Sequence, residues 1–110
     1  MERVDYPPLV RSILRKHATN DIPSKTEVQL VCDTESHHYQ VLHLGWQDLH
    51  RVYGCIVHVD IKDDGKIWIQ RDGTETGIAN ELTAAGVPKT DIVLAFHAPY
   101  KRKLTGFAVE

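Results

Sequence analysis

The sequence predicts an α+β fold, in which an N-terminal helix precedes an antiparallel β-meander of four or five strands and a second helix follows the meander. Between residues 27 and 72, nearly every apolar residue falls in short runs rich in Val, Ile, Leu, Tyr and Trp. Polar or glycine-containing breaks separate these runs, as they separate consecutive strands. The break Asp63-Asp64-Gly65-Lys66 supplies residues that tolerate the positive φ of a tight hairpin. On either side of this region the apolar residues recur at helical spacing instead.

In residues 5–18, Leu9 and Ile13, with Val10 and Leu14 one position along, line one side of a helix and leave Arg11, Arg15 and Lys16 for the other. Asp5 is placed to cap this helix. Pro7 or Pro8 suits its first turn, where a missing N–H costs nothing, and the basic residues near its end suit the helix dipole. Residues 19–25, with Pro23 biasing Ile22 toward an extended conformation, read as a linker loop.

The first strand, residues 27–33, directs Val28, Leu30 and Cys32 toward the core. The second, residues 38–46, alternates less cleanly, so both of its faces are expected to be partly covered. The third, residues 50–62, is apolar through Val52, Tyr53, Cys55, Ile56, Val57, Val59 and Ile61, as a central strand buried on both sides would be. A turn centred on Asp64-Gly65 pairs Ile61 with Trp68 and His58 with Arg71, which sets Trp68 on the face of Val57, Val59 and Ile61. Residues 75–85 carry Ile78, Ala79, Leu82 and Ala85 at helical spacing, with Gly86 as a natural stop. The run 92–96 is too short to assign by period and fits an edge strand or a short helix. The tail, residues 97–110, reads as an irregular closing segment.

Residues 1–110 suit a single domain with one sizeable core. Thirteen Lys and Arg against fifteen Asp and Glu give a net charge of -2, which supplies no field to hold the protein on a phosphate backbone. Generic DNA binding is therefore not favoured. The N-terminus lacks an apolar stretch of signal-peptide length, and nowhere do about eighteen apolar residues run together. A cytoplasmic protein without a membrane segment is expected. Cys32 and Cys55 fall inside predicted strands with no CxxC spacing, so buried free thiols are expected rather than a zinc or redox motif.

Among the seven histidines, His37, His38, His43, His58 and His97 raise the question of a metal. Their spacing lacks ligands paired at short fixed intervals, and the adjacent His37 and His38 point to opposite sides of a strand. Surface or packing roles are expected, with no metal and no cofactor. Asp60-Ile61-Lys62 has the acid-x-Lys spacing of metal-dependent nucleases, with Asp33 or Glu35 as a second carboxylate for a magnesium ion. Asp64-Gly65-Lys66 meets the same spacing inside a turn, which weakens that signal. There is no GxSxG elbow, and the glycines never gather into a phosphate-cradling loop. The candidates for partner contact are Trp46, which abuts a loop, and the basic cluster Lys101, Arg102 and Lys103.

Four stretches carry a family resemblance: Gly45-Trp46-Gln47, Arg51-Val52-Tyr53-Gly54-Cys55, the hairpin from Asp60-Ile61-Lys62 to Gln70, and Gly86-Val87-Pro88-Lys89 leading to Phe96-His97. Over essentially its whole length the chain resembles the XisI family, the fdxN element excision controlling factors of cyanobacteria. The resemblance implies an accessory role in site-specific excision, a DNA rearrangement of heterocyst development. It also implies a recombinase that does the cutting and a companion, XisH, with a nuclease-like fold. It carries over no catalytic residue. Together with the net charge it favours a non-enzymatic regulator that works through protein partners and contacts DNA indirectly, with a homo-oligomer plausible from the edge strands. The competing expectation is a small metal-dependent nuclease built on Asp33, Asp60 and Lys62.

Overall fold

The computed structural model describes residues 5–19 and 26–110. Helix α1 (Tyr6–His17) is followed by strands β1 (Thr26–Asp33), β2 (His38–Gln47), β3 (His50–Ile61) and β4 (Ile67–Asp72). Helix α2 (Ile78–Ala84), a 3-10 turn at Lys89–Asp91, strand β5 (Ile92–Leu94) and the one-turn helix α3 (Pro99–Arg102) complete the chain. The expected linker at 20–25, including the Pro23 bias on Ile22, lies outside the described residues.

The five strands form one sheet in the order β1-β2-β3-β4-β5, with β3 at its centre. Neighbours from β1 to β4 are antiparallel, as expected of a meander. The run left open between strand and helix forms the edge strand β5, and it lies parallel to β4. A parallel neighbour needs a crossover, which α2 supplies. Both α1 and α2 lie on one face of the sheet, and the core fills the space between the two layers. Val10, Ile13 and Leu14 of α1 meet Tyr39 and Val41 of β2, Val57 and Val59 of β3, Ile67 and Ile69 of β4, and Ile78 and Leu82 of α2. His17 Nε2 and Glu81 Oε2, 2.6 Å apart, tie the two helices at their solvent edge. Among the described residues no helix is long and apolar enough to cross a membrane.

Local chemistry explains the element ends. Pro occupies the first turn of α1, and Arg15, Lys16 and His17 fill its last. Asp5 holds the N-cap position, but its side chain makes no capping bond; its carbonyl accepts the Leu9 N–H instead. Helix α2 starts at Ile78 rather than at residue 75, because Asp72 organises the preceding loop. Its Oδ1 accepts the Thr74 N–H and hydroxyl, and its Oδ2 accepts the Ile78 N–H at 2.7 Å. At the other end the Gly86 N–H reaches the Thr83 carbonyl and the Val87 N–H the Leu82 carbonyl, while Gly86 has φ 104°. This is a Schellman stop, and the left-handed conformation explains the glycine.

The β3-β4 hairpin corrects the expected register. Lys62 N–H bonds to the Lys66 carbonyl across a three-residue loop, Asp63-Asp64-Gly65, in which Gly65 takes φ 87°. Ile61 therefore pairs with Ile67, and Trp68 pairs with Asp60 on the face opposite Val57 and Val59. His58 pairs with Arg71 as expected, because a bulge between His58 and Val59 shifts the register back by one residue.

A second bulge, where Val41 pairs with Val57 but Leu42 with Cys55, leaves Ile56 as the extra residue on β3. It sends the first half of β3 out of phase with the second, so the expectation of burial on both faces fails. Arg51 and Tyr53 are exposed, and α1 and α2 both pack on the opposite face. Cys32 is exposed as well, contrary to a pair of buried thiols, because it sits near the end of edge strand β1. Cys55 is half-buried and its thiol contacts the Val57 carbonyl at 3.1 Å. Burial pushes the Cys55 thiol up, the opposite of what an activated nucleophile needs.

Candidate functional site

The face of the sheet away from the helices carries the groups with chemical potential. Cross-strand pairing sets Asp33, His38, Asp60 and Trp68 in one row across β1 to β4. Side chains of directly paired residues share a face, and so do residues two apart on a strand. His58 and Lys62 therefore flank Asp60 on the same side.

Asp60 is the centre of this row and only 6% exposed, the one buried charged residue among the described residues. Its Oδ1 lies 2.7 Å from His38 Nδ1 and 2.8 Å from His58 Nε2, and its Oδ2 accepts a bond from Gln70 Nε2 at 3.2 Å. Burial alone would push the Asp60 carboxyl up. The hydrogen bonds and charges of the two histidines outweigh it and hold the carboxyl below its ordinary range. A carboxylate has no proton to give, so each imidazole donates at the nitrogen that faces it.

Trp68 extends the row toward β5. The Lys62 ammonium lies 5.4 Å from its ring centroid and the Arg102 guanidinium 5.5 Å, within cation–π range. Its Nε1 is buried with no acceptor among the described residues. Arg102 also bonds the carbonyls of His97 (3.0 Å) and Ala95 (3.3 Å), which fastens α3 and the C-terminal segment. Lys101 and Lys103 stay exposed on either side of it. The tail is thus more ordered than the irregular segment expected, with Ala108 bridging to Val93 of β5.

At the far end of this face Trp46 and Tyr53 stand 54% and 68% exposed, with the Arg51 guanidinium between them at 5.6 and 6.0 Å from the two ring centroids. Arg51 Nη1 donates to the Gly45 carbonyl at 3.2 Å, so the stack is braced from the backbone. Arg51 pairs with Trp46 and Asp60 with Trp68, and the two β3 positions are nine residues apart, about 30 Å of strand. Trp46 and Arg102 therefore lie toward opposite ends of one face, with Lys101 and Lys103 exposed beside Arg102 in the sequence.

The sequence-derived nuclease set is only partly assembled. Asp60 and Lys62 share a face, but Lys62 is drawn to the Trp68 ring. The Oδ1 of Asp33 accepts the turn N–H groups of Glu35 (3.0 Å) and Ser36 (3.1 Å), and these bonds hold its carboxyl below the ordinary range. The groups gathered around Asp60 are imidazoles and an amide rather than a second carboxylate, whereas magnesium favours oxygen ligands. His37, in the turn at φ 57°, turns away and meets the buried Tyr39 hydroxyl at 2.9 Å. The His38–His58–Asp60 cluster escaped sequence reasoning because its members come from two strands. The available signal was His58-x-Asp60, whose spacing of two puts both on one face.

The chain matches the family model described as "XisI protein" over residues 1–109. It belongs to the XisI family. The chain is 48% identical to a XisI-like protein of Anabaena variabilis whose crystal structure superposes with a TM-score of 0.89, covering 96% of each chain. It is 37% identical to the fdxN element excision controlling factor XisI of the same organism, with a TM-score of 0.83 and 96% of each chain covered. No curated protein gives a significant match. The XisI fold thus accounts for the five-stranded sheet and its helix layer.

Proposed function

We propose that this XisI-family protein is a regulatory factor in the excision of a DNA element of the fdxN type. In this reading it has no catalytic chemistry of its own and acts by binding a protein partner through the uncovered face of its sheet. The observation that carries the reading is the braced stack of Trp46, Arg51 and Tyr53, because aromatic and arginine side chains exposed together on an open face are the residues that dominate protein–protein contacts. A relative sharing 37% of its residues is a XisI excision controlling factor, which supplies the process. The net charge of -2 favours contact with protein over independent contact with DNA. The partner that the family resemblance implies is a nuclease-like companion of the XisH type, with a recombinase beyond it, in the cytoplasm of a cyanobacterial cell during heterocyst development.

The test is co-expression with a XisH-type companion, followed by co-purification and light scattering. The wild-type chain is expected to form a stable complex that Trp46→Ala and Tyr53→Ala weaken by at least about tenfold, the loss of a typical hot-spot residue. Lys101→Ala and Lys103→Ala ask whether the basic end takes part. DNA cleavage by the isolated chain that requires a divalent metal and disappears in Asp60→Ala would overturn the non-enzymatic reading in favour of the nuclease.

A further inference from the structure

We propose that His38, His58 and Asp60 form a binding site for a first-row divalent cation of the zinc class. The three donor atoms, His38 Nδ1, His58 Nε2 and Asp60 Oδ1, lie within 4.8 Å of one another. Zinc bonds of about 2.0–2.2 Å in tetrahedral array set neighbouring donors roughly 3.4 Å apart. The two nitrogens now lie 2.7 and 2.8 Å from the carboxylate oxygen. Admitting an ion thus requires each contact to open by a fraction of an ångström. His38 has the room to move, since its side chain is 53% exposed, while Asp60 and His58 stay anchored in β3.

The donor set chooses the metal. Two imidazoles and one carboxylate suit zinc and its neighbours, while magnesium and calcium call for oxygen donors. A supporting shell is present: Gln70 Nε2 on β4 holds the second oxygen of Asp60, which fixes the carboxylate plane and leaves Oδ1 for the metal. Binding needs a lone pair on His38 Nδ1 and on His58 Nε2. Each ring then carries its proton on the other nitrogen, the reverse of the arrangement that donates to Asp60. Three protein ligands leave a fourth tetrahedral position for water.

The test is calorimetric titration of the untagged full chain with zinc chloride, with bound metal counted after dialysis and imidazole ¹⁵N shifts recorded. One equivalent is expected, with His38 shifting as an Nδ1 ligand and His58 as an Nε2 ligand. His38→Gln and His58→Gln should each weaken binding by more than about tenfold, the loss that even an outer-shell change brings. His50→Gln and His97→Gln should leave it unchanged. His38→Gln is the decisive variant, because its exposed position allows the fold to persist, as circular dichroism would verify. Absence of bound zinc in the wild-type chain overturns the proposal, and so does zinc bound equally by a folded His38→Gln variant.

Discussion

Arg102 illustrates how a charge in a basic run acquires a structural duty. Its neighbours Lys101 and Lys103 face solvent, but its guanidinium bonds two carbonyls of the segment before α3 and stacks over Trp68. Hydrogen bonds to a charged group contribute more than neutral ones, and losing them leaves the carbonyls unpaired. Arg102→Ala should therefore destabilise the protein by about 2 kcal/mol in urea denaturation, while Lys101→Ala stays within about 0.5 kcal/mol. Asp33 gives the pH counterpart. Turn N–H groups of Ser36 and Glu35 hold its carboxyl below its unfolded value, near 3.9. Its contribution is thus complete above that unfolded value and is lost as pH falls through the folded one. Asp33→Asn, whose amide oxygen accepts the same bonds without titrating, should show less loss of stability between pH 6 and pH 3 than the wild type. Urea midpoints at the two pH values would check this. Such roles were hidden in the sequence because a residue type does not state which carbonyl or N–H it will meet.

At the scale of elements, turns and bulges decide which side chains share a face. A three-residue loop in place of a centred two-residue turn moved Trp68 from the core face to the outer one, beside Asp60. The bulge at Ile56 turned Arg51 and Tyr53 outward, toward Trp46. Both elements were legible as strands from their apolar runs. The one-residue phase shifts were not, since a slip of one inverts the face without altering composition. Helix α2 is legible for a similar reason, but its start is not, because a carboxylate six residues before it sets the first turn. Asp72 takes the place of a side-chain N-cap, so Asp72→Ala should cost about 1–2 kcal/mol. Asp72→Asn should recover part of that loss, and thermal melts of the two variants would show the difference.

For the whole molecule, the decisive fact is that α1 and α2 cover one face of the sheet, while among the described residues the other face is capped only at its β4 end, by Arg102 over Trp68. Substitutions on the two faces should therefore separate cleanly. Leu14 is fully buried between α1 and the sheet, and Leu14→Ala should lose about 2–5 kcal/mol through lost apolar contact and the remaining cavity. Tyr53→Ala on the open face should change stability by no more than about 0.5 kcal/mol, which denaturant titration of both variants would verify. The sequence by itself determined the α+β class, the two main helices, the antiparallel meander with β3 central, and the family. These follow from hydrophobic periodicity, turn chemistry and extended motif likeness, all of which are local or cumulative along the chain. Only the tertiary structure decided the parallel seat of β5, the outward turn of Trp68 and the meeting of His38 with His58 and Asp60. The first depends on where the α2 crossover returns the chain, and the other two on register between neighbouring strands, where a bulge and a loop length set which side chains meet.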